Sequence, residues 1–397
     1  MNDLNIIHST FDQLQQFIQK NLESFGIAKE KIVLATTDGG SNIVKCFTEM
    51  KLEHHHCINH QLSLLSQKSI KPVKNIIERV KDLVSFFNKS TVGWQALKQA
   101  QTDTNKLNNF ANIIYTLKTD SITRFNSCTI MVERFLLLVN DINCALDQLS
   151  ESQKKFSDED INNLEKVNEI FKPFVKMTDE FSGEDYCTMN IVLPKLIYNK
   201  DKIKKVNWEN SHFLECKKIL IEGLEEIIKD LLKKNFAPIS TFFDPRYRSL
   251  KIFEKNEGER ILAIIRNLVS QVEKNGKNDS INTKKSIIQN KIEINEEEQL
   301  MDIDRNCEID EIDVYQEQKF ALYSNEKFDV LQYWLQNEAR FPNLSQIALK
   351  YAIMNASSIS SERQFSQMGR LINKLRCCLK PETSSMLNFL KSNADMW

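Results

Sequence analysis

The stretch IVLATTDGGSNIVKCF, residues 32–47, ends a short apolar, partly β-branched run in an aspartate and two glycines. Such a run, with Gly and Asn just beyond it, reads as a buried strand opening into a helix. Asp38 then stands at the strand's carboxyl end. In open α/β sheets that edge is where ligands and metals are met, so this carboxylate is a candidate for site chemistry. The same Asp-Gly-Gly-Ser run also fits a helix N-cap. A second cluster follows in HHHCINH, where His54, His55, His56, Cys57 and His60 offer the nitrogen and sulfur donors that Zn²⁺ prefers. No second Cys/His pair at finger spacing follows it, which leaves packing and hydrogen bonding as the competing role.

These residues must be positioned by a chain that is mainly helical. Only 9 Gly and 7 Pro occur in 397 residues, so tight turns are few and strands should be few and local. Phe11, Leu14, Ile18, Leu22 and Phe25 recur at helical spacing ahead of a strand expected at 31–37. Val73, Ile76, Ile77, Val80, Leu83, Val84 and Phe87 repeat likewise behind Pro72. The same periodicity predicts helices at about 129–149, 157–181, 188–204, 209–234, 257–273, 327–338, 343–354, 360–374 and 381–392. Ser157 ahead of Asp158, Glu159 and Asp160 marks a helix start. Residues 274–318 have polar runs, an acidic block and no sustained period, and read as a mobile loop.

Bulk composition narrows the class. The hydrophobic fraction of 41% supports a substantial core, and the length favours two or more folding units. Nine scattered cysteines without a CxxC pair fit reduced thiols better than a disulfide framework. No apolar run approaches the ~20 residues that span a bilayer, and the amino terminus has no signal-peptide pattern, so a soluble intracellular protein without membrane partners is expected. The net charge of −1 is uneven: residues 293–317 hold eleven acidic side chains against Arg305, leaving the rest at +9. A mildly basic body of that kind is compatible with a polyanionic partner.

Several blocks, in order, resemble the hAT superfamily of DNA transposases. TTDGGSN is similar to the family's strand-end block around its second catalytic aspartate, and CINHQLSLL to its C-x-x-H-x-L-N-L block. FFNKSTVGWQAL, TRFNS and FFDPRYR are similar to the blocks that follow. The tail from YWLQNEARF to LNFLKSN, with SSISSERQFS inside it, resembles the carboxyl-terminal dimerisation region. Six such blocks in family order over most of the chain are hard to reach by chance.

The resemblance implies an RNase H-like core split by a large all-helical insertion: a mainly α chain with a small α/β part. It divides the chain into a partial core at 1–60, a helical insertion at 61–340 containing the acidic loop, and core helices with the dimerisation region at 341–397. In the family three carboxylates hold two divalent ions for phosphodiester cleavage and strand transfer. Asp38 matches the second and Glu362 the third, with Mg²⁺ or Mn²⁺ the implied cofactor if the site is catalytic. Glu362 has a plainer alternative, as first-turn complement to a helix capped by Ser358, Ser360 or Ser361. Arg124 and Phe125 match an arginine–tryptophan pair that meets phosphate and stacks on a base, with burial in the helical domain as the competing role. Cys57 and His60 match a block beside the core, which favours a structural role near Asp38 over zinc. No strand with the family's first aspartate and no BED-type zinc finger precedes Asp38. The expectation is therefore an amino-terminally truncated, self-associating, DNA-binding protein whose catalysis is impaired, in the nucleus by resemblance. The rival readings are an active metal-dependent transposase fragment and a protein-interaction scaffold without a DNA role.

Overall fold

The computed structural model describes residues 10–108, 113–120, 126–208, 211–283, 310–318, 328–371 and 380–392. Among them the chain is mostly helical, with one two-stranded parallel sheet. In chain order the elements are α1 (Phe11–Ser24), β1 (Ala35–Thr37), α2 (Ser41–Glu49), β2 (His54–His56), α3 (Ile58–Ser69), α4 (Lys74–Lys89), α5 (Thr91–Leu107) and α6 (Ser127–Gln148). They continue with α7 (Asp158–Phe181), α8 (Met189–Lys205), α9 (Ser211–Lys233), α10 (Phe236–Phe242), α11 (Lys255–Thr283), α12 (Glu311–Glu317), α13 (Val330–Gln336), α14 (Pro342–Ala352), α15 (Ile359–Leu371) and α16 (Pro381–Ser392).

The chain divides into two compact units. One comprises Ile58–Glu180 and Lys195–Lys229, the other Met1–Cys57, Phe181–Pro194 and Asp230–Trp397. Among its described residues the first unit has helices and no strand. Its core is the apolar stripe predicted on α4, buried at Ile77, Val80, Leu83, Val84 and Phe87, together with Phe135 and Ile142 of α6 and Leu164, Ile170 and Phe174 of α7. Each such side chain contributes about 1.5–3 kcal/mol relative to exposure. Ser157 starts α7 as expected, its hydroxyl accepting from the Asp160 N–H at 3.2 Å while the Asp160 carboxylate accepts from the Ser157 N–H at 3.2 Å. On α9, Gly223 lies so close to Leu65 of α3 that a Cβ would stand 2.1 Å from its methyl, which explains a glycine inside a long helix.

The second unit holds the sheet and a large aromatic core. Phe242, Phe243, Tyr315, Trp334 and Phe341 are all buried, with Ile261 and Ile265 of α11 and Leu344 and Ile347 of α14 around them. The two polar handles in this core are satisfied: Trp334 Nε1 donates to the Phe243 carbonyl at 2.7 Å and the Tyr315 hydroxyl to the Phe242 carbonyl at 3.1 Å. Two helical pieces occupy ends of the stretch read as an acidic loop. α11 runs on to Thr283, and α12 docks Ile312 and Tyr315 into the core. The Glu311 carboxylate accepts from the backbone N–H groups of Asn343 and Leu344 at 3.2 and 2.9 Å, capping α14. Residues 284–309, most of that acidic stretch, lie outside the described residues. No helix among the described residues is long and apolar enough to cross a membrane.

Candidate functional site

The sheet is minimal: Ala35, Thr36 and Thr37 pair in parallel with His54, His55 and His56. Parallel strands require a crossover, which residues 38–53 supply through α2. The strand is shorter than the apolar run suggested: Lys31 ends a 3₁₀ turn, and residues 32–34 lie outside the ladder, which pairs only Ala35–Thr37 with the three residues of β2. Asp38 follows β1 at the sheet's carboxyl edge and is exposed. Its Oδ1 accepts from the Gly40 N–H at 3.3 Å. The residue in the N-cap position of α2 is Gly40, with no side-chain cap, so Asp38 does not fill the capping role its context allowed. Gly39, between them, has φ of +89° and packs against His56; a Cβ would stand 2.3 Å from His56 Nδ1.

Strand alternation separates the three histidines. His54 is held on one face, its Nε2 2.8 Å from Thr37 Oγ1 and its ring stacked on Phe47. Burial is the main cause that lowers its pKa, with His56 and Lys234 adding to it. His55 points to the other face, wholly buried and edge-on to Phe236 of α10. Burial drives its pKa down to about 3, helped by the positive charge of Lys234, so it is neutral. His60 is exposed in the first turn of α3, while Cys57 is buried. Among the described residues no three histidine, cysteine or carboxylate side chains come together as a metal site.

Cys57 leads instead to the other candidate carboxylate. Its thiol donates to Ser357 Oγ at 3.5 Å, and the Ser358 N–H donates to its sulfur at 3.4 Å. Thr36, two residues before Asp38, donates from Oγ1 to the Asn355 carbonyl at 2.9 Å, across 319 positions of sequence. Residues 354–358 therefore lie along the sheet, and α15 starts from them. A cavity of about 290 Å³ separates the two elements, lined by Ile32, Leu34 and Thr36 on one side and by Ser357, Ser358 and Ser361 on the other. Glu362 stands exposed in the first turn of α15, where Ser358 Oγ meets its Oε1 at 3.5 Å. Ser357 Oγ accepts from the Ile359 N–H at 3.1 Å, so the serines do act at this helix start.

The site thus offers two solvent-accessible carboxylates on elements that are bonded to one another. With no third donor grouped beside them among the described residues, these side chains do not complete the donor set of a two-metal centre. Arg124 and Phe125 lie outside the described residues. Their flanks are tied together, since Ser127 Oγ donates to Asp120 and Lys81 pairs with Asp120 at 2.7 Å.

Two features escaped the reading by residue type. Thr188 is buried and its Oγ1 accepts from the Ala356 N–H at 2.9 Å; nothing local in CTMN signals that role. Asp244, in FFDPRYR, is fully buried and gripped by Arg246 Nε at 2.9 Å and Nη2 at 2.6 Å, and by Asn190 Nδ2 at 2.6 Å. Its sequence block was visible but not its function as a structural clamp, which needs the partner from α8.

Residues 311–394 match the hAT family C-terminal dimerisation region, and residues 55–170 match the ZBED1 RNase-like helical domain. A Zea mays protein described as an AC transposase is 24% identical over 382 residues, covering 90% of this chain and 45% of that protein. A second Zea mays protein, described as an AC9 transposase, is 22% identical over 402 residues, covering 90% of this chain and 46% of its own length. The chain spans a little under half the length of these relatives.

Proposed function

This chain belongs to the hAT superfamily of transposases, and on that premise we propose that it is a self-associating, DNA-binding protein of transposase descent. Asp38 and Glu362 are, in this reading, the second and third of the three carboxylates that the resemblance assigns to an RNase H-like site. The observation that carries it is the Thr36–Asn355 hydrogen bond, which lays the strand ending in Asp38 against the segment that launches the helix of Glu362. The dimerisation-region match supports self-association, and the relatives' descriptions as transposases support a DNA partner.

The chain's own residues do three things in this reading. Thr36 and Cys57 hold the serine-rich segment on the sheet edge; Asp38 and Glu362 present negative charge to solvent there; Arg124 and Phe125 provide a phosphate partner and a stacking ring. Mg²⁺ or Mn²⁺ would supply Lewis-acid chemistry held by such carboxylates; with two of the family's three carboxylates matched in this sequence, cleavage of DNA is not expected. Incubation with supercoiled and hairpin DNA in either metal should leave it intact. Nicking that disappears in both Asp38→Ala and Glu362→Ala would overturn that expectation and establish an active enzyme.

DNA binding is tested separately by titrating duplex and hairpin ends at several salt concentrations. Affinity should fall as salt rises, and Arg124→Glu should weaken it and flatten the salt slope by about 1 or more. Absence of salt-dependent binding would favour the scaffold reading. A nuclear location follows from a DNA partner and is checked by imaging the tagged full chain.

A further inference from the structure

We propose that residues 182–190, a short segment set in sequence among the helices of the other unit, are the positioning element for Glu362, and that Thr188 is its central residue. The inference rests on the reading of Glu362 as a site carboxylate.

The loop between α14 and α15 is held at each of five successive residues. The Met189 N–H donates to the Met354 carbonyl at 3.3 Å, Thr36 Oγ1 to the Asn355 carbonyl at 2.9 Å, and the Ala356 N–H to Thr188 Oγ1 at 2.9 Å. Ser357 accepts from Cys57, and the Ser358 N–H donates to Cys57. Two anchors therefore face each other across the loop: the sheet edge, through Thr36 and Cys57, and the 182–190 segment, through Thr188 and Met189. The same segment grips α15 once more beyond the loop. Arg363, adjacent to Glu362, donates from Nη1 to the Ser182 carbonyl at 3.1 Å and pairs with Glu184 at 2.7 Å.

Burial shows which anchor is rigid. Thr188, Met189 and Ala356 are fully buried, and Asn190 is 1% exposed. Asn190 in turn is fixed by Asp244, which Arg246 closes with two bonds. A buried, charge-assisted cluster thus sets the start of α8, and the start of α8 sets Met354 and Ala356. The Arg363 contacts are half-exposed and add less. This accounts for the membership of Phe181–Pro194 in the sheet-containing unit although both flanks in sequence belong to the other. It also gives the FFDPRYR block a structural role, since through it Asp244 acts on Glu362 at two removes.

The test is hydrogen–deuterium exchange of the full chain, read in peptides covering 354–363. Thr188→Val keeps the volume but leaves the buried Ala356 N–H without an acceptor, and should speed exchange in those peptides about tenfold while α4 and α6 keep their protection. Thr188→Ser restores the acceptor and should return exchange to within about twofold of the parent. If Thr188→Val fails to fold, Arg363→Ala serves in its place, with an expected acceleration of about threefold confined to the same peptides. Unchanged exchange in 354–363, or acceleration that Thr188→Ser does not reverse, overturns the proposal.

The underlying reading has its own readout. Asp38→Cys with Glu362→Cys, treated with a short bis-maleimide and analysed by peptide mass spectrometry, should yield a 38–362 crosslink, and adding Thr188→Val should lower its yield at least threefold. No crosslink in the parent pair sinks the shared-site reading while exchange still decides the clamp. A crosslink that persists unchanged with Thr188→Val contradicts the clamp even if the site is real.

Discussion

The two halves of the dimerisation region handle the same kind of apolar residue in opposite ways. In residues 310–352, Tyr315, Trp334, Phe341, Leu344 and Ala348 are buried within their own unit, and both aromatic polar groups are bonded to carbonyls. In residues 359–392, α15 and α16 pack on each other and share the Asn388–Gln364 hydrogen bond, yet Phe365 is 74% exposed, Met386 64% and Phe389 63%. One stretch of a single family region is thus core, and the other carries several exposed large apolar side chains on two packed helices. A surface of that kind marks an interaction site more often than scattered single residues do. The difference separates the residues that make the fold from apolar side chains left at the surface, Phe365 and Met386 foremost, on which a second copy could pack.

The comparison breaks first if the core half is not structural. Trp334→Ala should cost about 3–5 kcal/mol in urea unfolding, because a large cavity and an unpaired Phe243 carbonyl are left behind. A loss under about 1 kcal/mol would mean that this half is not the core described.

The next effect is acid sensitivity from His55, which abuts the same unit's α10. Its folded pKa of about 3 lies below its ordinary value of 6.5. The folded state therefore resists protonation: stability is fully present above pH ~6.5 and declines as pH falls toward ~3, by a few kcal/mol in all. His55→Phe should flatten that part of the pH–stability curve, and an unaltered curve would contradict a neutral buried imidazole.

A smaller effect sits at Tyr315. Removing its hydroxyl in Tyr315→Phe forfeits the bond to the Phe242 carbonyl, a loss of about 1 kcal/mol. Burial raises the phenol's pKa well above 10, so stability is complete below pH ~10 and falls as pH rises beyond it. The variant should remove that alkaline loss, measured by thermal unfolding between pH 9 and 11.

How far the sequence disclosed all this depends on the range of the signal. The α4 stripe, the Ser157 start of α7 and the Pro381 start of α16 are local, and each lies where periodicity or capping chemistry indicated. α12 was hidden because Ile312 and Tyr315 stand among acidic residues, and only the aromatic cluster of a distant segment makes a short helix worthwhile there. The tail's apolar residues looked alike in sequence, and tertiary packing alone divided Trp334 and Leu344 from Phe365 and Leu390. Asp38 was raised as a candidate by its place after an apolar run, and Glu362 by resemblance. What joins their elements, Thr36 to Asn355 and Cys57 to Ser357, are pairs 319 and 300 positions apart that carry no local signature. Thr188 was invisible for the same reason.

The most direct measurement is the solution mass of the full chain and of a Phe365→Ser/Met386→Ser variant, by light scattering across a concentration series. Both sites are exposed, so the variant's unfolding free energy should stay within about 0.5 kcal/mol of the parent. The parent should assemble as a dimer or larger, and the variant should be a monomer. A parent that stays monomeric at tens of micromolar, or a variant that assembles as the parent does, would contradict the assignment of the α15–α16 face to self-association.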